Sequence, residues 1–238
     1  TSQLLAGSGL LEFGTPEQRA KFLPGIVSFE EIWCQLFSEP EAGSDLASLR
    51  TRAVADGGHW VVSGQKVWTT WAHFAKWGLL LARTGSPASL HRGISCFILA
   101  MDSPGVDVRP LPQMTGEESF NEVFMDGVII DDSMRLGPRD EGWAVARSIL
   151  QAERGELGQR RVGGIDAHRL IERHRGTTDP TIRQRLTQHY SRERVLNWMA
   201  WRGYGDGLEA QVIKLMRAEA NMELQEMALN HEGPAAVA

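Results

Sequence analysis

Between about residue 30 and residue 133 the sequence is a succession of strand-length apolar or alternating runs, cut by turn formers. No long helical period interrupts them, and that restricts this stretch to β structure. The run 32–38 is apolar and strand-length. Residues 47–55 alternate, with Leu49, Thr51, Ala53 and Ala55 on one side and Arg50 and Arg52 on the other. Asp56-Gly57-Gly58 is a strong hairpin signal leading into His59-Trp60-Val61-Val62. Further strands fit 77–84, 93–101, 106–111 and 119–130, with turns such as Ser103-Pro104-Gly105 between them. Strands at this spacing predict an antiparallel barrel or sandwich.

Both flanks read as helical. At the front, Thr15 suits an N-cap, Pro16 the first helical position, and Gln18 completes a capping box. Behind the β segment, Trp143, Ala146, Leu150, Glu153 and Leu157 share one helix face. Asp179-Pro180 opens a second helix. A third carries Val212, Leu215, Met222 and Leu229 on one stripe and Ile213, Met216, Ala220 and Met227 on the next. So wide an apolar face needs more than one neighbour, which points to a bundle or an oligomer interface. The expected division is 1–29 helical, 30–133 β, and 134–238 a helical bundle. The whole is of the α+β class.

Several functions are disfavoured. The formal charge of −5 argues against nucleic-acid binding, which needs a basic stripe. No apolar run approaches the ~20 residues of a membrane span. No G-x-G-x-x-G follows a strand, no P-loop or G-x-S-x-G occurs, and the histidines and cysteines lack metal-ligand spacing. Cys34 and Cys96 both lie in apolar runs and read as buried free thiols of a reducing, cytoplasmic location. The chain starts at Thr1 and ends in GPAAVA, so cut termini are expected.

Three places can carry chemistry. Glu153 puts a carboxylate in an apolar helix face. Burial there raises its pKa toward that of a general base, unless it is an edge charge paired with Arg154 or another helix. The run Ser38-Glu39-Pro40-Glu41-Ala42-Gly43-Ser44-Asp45 offers backbone N–H groups and hydroxyls for a cofactor's polar edge, or is a plain surface loop. In Gly64-Gln65-Lys66-Val67-Trp68-Thr69-Thr70-Trp71 an indole beside hydroxyls can stack on a flat ring, or fill a core.

Taken in order, four segments resemble the acyl-CoA dehydrogenase family. They are FGTPEQRAKFLPGI (13–26), FSEPEAGSD (37–45), GQKVWTT (64–70) and EGWAVARSILQAERGELG (141–158). The resemblance implies an end piece of a helical N-terminal domain, a middle antiparallel β-barrel domain and an incomplete C-terminal helical bundle. It implies FAD as cofactor, an acyl-CoA thioester as substrate, a homo- or hetero-tetramer, and an electron-transfer flavoprotein as acceptor. It places Gln35, Phe37, Ser38, Gly43, Ser44, Trp68 and Thr70 on the cofactor. Ser44 and Arg154 then face the substrate, and Glu153 is the base, as in isovaleryl-CoA-type members; Glu156, one turn on, is less well placed. Trp71, Phe74 and Met114 are pocket neighbours or core residues. The family's R-x-x-F-G segment is not recognisable after Gly158, where QRRVGGIDAHRLIERHRG stands. That departure keeps two alternatives open: a non-catalytic partner subunit of a hetero-oligomer, or a related flavin oxidase or monooxygenase.

Overall fold

The computed structural model describes residues 2–86, 89–159, 166–202 and 208–232. It divides into two compact units, Thr1–Ala152 and Glu153–Ala238.

The first unit opens with helices α1 (Ser2–Phe13) and α2 (Pro16–Val27). The capping box at α2 forms as expected: Thr15 Oγ1 accepts from the Gln18 amide and Gln18 Oε1 accepts from the Thr15 amide. The Gln18 side chain then donates to the carbonyls of Ser133 and Arg135, so one residue caps the helix and ties it to the sheet.

Eight strands follow: β1 (Trp33–Leu36), β2 (Arg52–Asp56), β3 (His59–Thr70), β4 (Trp77–Arg83), β5 (Ile94–Ala100), β6 (Val106–Leu111), β7 (Phe120–Asp131) and β8 (Arg135–Leu136). Their order is β6-β7-β3-β2-β4-β5-β8, with β1 paired to β4. The expected all-antiparallel pairing needs correction. β1 runs parallel to β4, from Trp33↔Trp77 to Leu36↔Leu80, and β2 meets β4 in parallel at Arg52↔Arg83. About forty residues separate β1 from β4. A connection that long permits a parallel neighbour, and side-chain alternation carries no information on strand direction. No ladder joins β6 to β8 among the described residues, so hydrogen bonds leave the sheet open.

The strand expected over 47–55 is also shorter. Leu46–Ser48 form a 3-10 turn and β2 starts only at Arg52. Backbone groups before it are used otherwise. The buried Arg83 guanidinium donates to the carbonyls of Ala47, Leu49 and Leu90. Leu49 and Thr51 keep the inward face that the alternation gave them.

β4 and β5 are buried on both faces. Leu79, Leu81, Cys96 and Ile98 face a first core with Leu10, Phe22, Ile26 and Trp33. Phe22 packs edge-on against Trp33 and Trp77, with ring centroids 5.4 and 5.0 Å away, and this seats α2 on β1 and β4. Leu80, Ala82, Phe97 and Leu99 face a second core with Trp60, Val62, Val123, Met125 and Val128. There Trp60 of β3 meets Phe97 of β5 at 5.4 Å, though the two strands are not ladder neighbours. The sheet therefore curls round this core.

Helix α3 (Gly142–Gln159) begins against β5. Its buried stripe is Val145, Ala146 and Ile149, with Trp143 and Leu150 at the margins. The face is thus turned slightly from the one read in the sequence. The boundary between the units falls within this helix.

The second unit holds α4 (Ala167–Arg173), α5 (Pro180–Trp201) and α6 (Leu208–Glu232). Asp179 caps α5 by accepting from the amides of Thr181 and Ile182. Ala167, Leu170, Leu186, Leu224, Met227 and Ala228 form its core. Of the two α6 stripes, the one with Ile213 and Met227 is buried, whereas Val212, Leu215, Met222 and Leu229 are exposed. No described helix is long and apolar enough to cross a membrane.

Candidate active site

The segments 37–45 and 64–70 are brought together at one place in the first unit. β3 pairs with β2 only as far as Ser63. Beyond that point its free edge is taken up by the chain leaving β1: the Val67 amide donates to the Ser38 carbonyl at 2.9 Å. On the other edge, the ladder to β7 breaks register between Lys66 and Thr69. Trp68 sits in this break with φ +59, a left-handed conformation rare for a bulky residue. The residue is 63% exposed, and its one ring contact among the described residues is an edge-on one with Phe120, centroids 6.0 Å apart. Strain of this kind is found where function fixes it. A large flat side chain held outward, at a cost, is suited to stacking on a planar ligand.

The surrounding residues are consistent with that use. Thr70 is exposed at the end of β3, and Ser38 is half-buried beside Val67. The loop after Ser38 closes through a pair of bonds between Glu39 and Ala42, leaving Gly43 and Ser44 exposed. A Cβ added at Gly43 would meet nothing within 4 Å, so its backbone is open to a ligand's polar end. Gln35 is half-buried on β1. The Phe37 ring is packed in the first core. Trp71, Phe74 and Met114 are exposed rather than core residues. These residues fit a flavin-like group: a flat aromatic platform, two flanking hydroxyls and an open glycine backbone.

Beneath this surface lies a pair that the sequence reading did not single out. Lys66 is fully buried. Its ammonium donates to Glu39 Oε1 at 2.8 Å and to the Phe37 carbonyl at 2.9 Å. The Glu39 carboxylate also accepts from the amides of Arg50 at 2.6 Å and Thr51 at 2.9 Å. Burial drives the Lys66 ammonium down to about 8, against the attraction of Glu39. Burial likewise pushes the Glu39 carboxyl up, but the Lys66 charge and the hydrogen bonds outweigh it, so it stays below the usual carboxylate range. Both are charged at neutral pH. The signal available in the sequence was a lysine inside an otherwise inward-facing strand position with an acidic residue in the adjoining motif.

Glu153 is half-buried on α3, at i+4 from Ile149, where it continues the buried stripe. The side chains of Arg154 and Glu156 lie outside the described residues. Cys34 and Cys96 are both buried free thiols, each pushed by burial up to about 12, so neither is a nucleophile. Among the described residues no group of three His, Cys, Asp or Glu side chains is placed to hold a metal ion.

The family model of the acyl-CoA dehydrogenase middle domain matches residues 34–128. The acyl-CoA dehydrogenase IpdE1 of Mycobacterium tuberculosis is 42% identical over 236 residues, 95% of this chain. The chain belongs to the acyl-CoA dehydrogenase family. It spans 61% of that relative's length, and 63% of the IpdE1 of Mycolicibacterium smegmatis, which is 39% identical. Among solved structures, the Tcur3481-Tcur3483 steroid ACAD superposes with a TM-score of 0.83 and 29% identity over 98% of this chain and 63% of its own. The ChsE4-ChsE5 complex from Mycobacterium tuberculosis gives a TM-score of 0.80 at 25% identity, covering 98% of this chain and 64% of its own. In this acyl-CoA dehydrogenase segment the family model covers both motif loops and β3, and so the whole exposed surface around Trp68.

Proposed function

We propose that the protein is an FAD-dependent acyl-CoA dehydrogenase that removes hydrogen across the α and β carbons of an acyl-CoA thioester. The observation that carries this reading is Trp68, held outward in a strained conformation at the junction of the two motif segments. Trp68 would stack on the flavin, Thr70 and Ser38 would donate hydrogen bonds to its edge, and the Gly43–Ser44 backbone would hold its phosphate end. A bound FAD would supply the acceptor for the β hydrogen, which leaves as hydride while the α proton goes to a base.

The remaining chemistry belongs to the chain. An α proton of a thioester is only weakly acidic, so a carboxylate must meet it in near-attack geometry. Glu153 is that base, and Arg154 lines the acyl-CoA site. The acceptor of the electrons is an electron-transfer flavoprotein, and the location is cytoplasmic. The same reading divides the chain into 1–29, 30–133 and 134–238, with the sheet wrapped as a barrel round the Trp60–Phe97 core.

A second reading has support of its own. The R-x-x-F-G segment is missing after Gly158, and two of the similar solved structures, Tcur3481-Tcur3483 and ChsE4-ChsE5, are named for two components. The chain is then a non-catalytic partner subunit of a hetero-oligomer, helping to complete the site on an active homologue.

Product analysis tests the main reading. The full-length protein is incubated with FAD, an artificial electron acceptor and a panel of acyl-CoAs that includes steroid side-chain thioesters. The expected result is a CoA product lighter by two hydrogens for at least one substrate. No such product, with or without a co-expressed homologous subunit, would sink it.

A further inference from the structure

Residues 64–68 of β3 have no β2 neighbour; Gly64, Gln65 and Lys66 still pair with Met125, Phe124 and Val123 of β7, but Val67 and Trp68 fall in a break of that ladder. Yet Trp68 must be kept in an unfavourable backbone conformation within this stretch. On the edge that β2 leaves free, a set of bonds to the chain leaving β1 takes over. Val67 donates to the Ser38 carbonyl, Lys66 to the Phe37 carbonyl and to Glu39. Glu39 passes the tie on to the amides of Arg50 and Thr51, and its own backbone closes the turn that ends at Ala42, just before Gly43 and Ser44.

Stability alone is a poor account of this arrangement. Desolvating two charges is costly, and apolar residues of similar volume commonly do as well or better. An ion pair has fixed donor and acceptor directions that apolar packing lacks. Here those directions lead to the three places the flavin reading uses: Ser38, Trp68 and the Gly43–Ser44 backbone.

We propose that Lys66 and Glu39 are positioning residues for the flavin, fixing the Ser38 and Gly43–Ser44 side of the site against Trp68 through one buried ion pair. This rests on the reading of that surface as the FAD site. Neither residue touches the cofactor; each acts through the backbone it holds.

The test compares the full-length protein with its Lys66→Met/Glu39→Leu double variant, which removes both charges and leaves none unpaired. FAD affinity is measured by titration, flavin fluorescence reports quenching by the indole, and thermal melting is followed without FAD. The expected result is a folded protein that melts below wild type, because the Arg50 and Thr51 amides lose their acceptor, with FAD binding weakened at least about tenfold and brighter flavin. Wild-type affinity and wild-type quenching in the folded double variant would overturn the proposal. Should the double variant fail to fold, Glu39→Gln decides. It keeps the shape but sets an amide N–H against the Arg50 N–H, and it must weaken FAD binding; unchanged binding overturns the proposal. Should the wild type itself take up no FAD, it is the functional reading that fails. Positioning is then judged on amide exchange: faster exchange at Val67 and Trp68 in the variant sustains it, and equal exchange refutes it.

Discussion

At the scale of single residues, the site depends on where one indole is pointed. Replacing Trp68 by Ala removes the stacking surface and leaves the backbone free to relax from φ +59. FAD binding is expected to weaken by about 1–3 kcal/mol, the range for an aromatic stack on a flat heterocycle, read by equilibrium titration. Lys66→Met alone is the opposite kind of change. It leaves the Glu39 carboxylate buried without its counter-charge, and a loss of about 3–5 kcal/mol of folding stability is expected in urea unfolding. The indole was visible in the sequence as an aromatic flanked by hydroxyls. Its left-handed backbone was not, because a ladder break depends on the register of β7, fifty residues away. The Lys66–Glu39 pair was only half legible for a related reason: the alternation turns Lys66 inward, but which acid it meets is not fixed until the two segments come together.

At the scale of elements, helix starts were the clearest features. Thr15, Gln18, Asp179 and Pro180 act through neighbours three residues away or fewer, so the sequence holds all the partners. Strand direction was the least clear, since β1 finds β4 only after the intervening chain has folded. The 3-10 turn at Leu46–Ser48 kept the alternation of a strand while its carbonyls served the distant Arg83. One close approach sets where α3 begins. A Cβ at Gly142 would lie 2.5 Å from the Ser95 carbonyl carbon and 2.6 Å from the Cys96 amide, so the helix start must shift away from β5. Gly142→Ala is expected to lower stability by about 1–3 kcal/mol through this overpacking, measured by thermal melting. A wild-type melting temperature would show that the strand edge yields instead.

At the scale of the whole molecule, acid sensitivity follows from carboxylates tied into the first unit. Hydrogen bonds from Arg135, then from Trp60, hold the Asp132 carboxyl down to about 2. A carboxyl whose folded value is depressed adds stability above its unfolded value, near 3.8, and loses it as the pH falls through the folded one. The Glu39 carboxyl acts in the same direction, from about its ordinary 4.5 downward. Urea midpoints are therefore expected to fall steadily below about pH 4.5, and Asp132→Asn should flatten the part of that slope below pH 4. In the proposed reaction the Glu153 carboxylate on α3 takes the α proton of the acyl-CoA thioester. The direct measurement is anaerobic flavin absorbance of the full-length FAD-loaded protein, wild type and Glu153→Gln, on mixing with acyl-CoA. The account predicts that wild type bleaches while Glu153→Gln keeps its flavin and stays yellow. Equal bleaching of the two proteins would contradict it and put the base elsewhere in the protein.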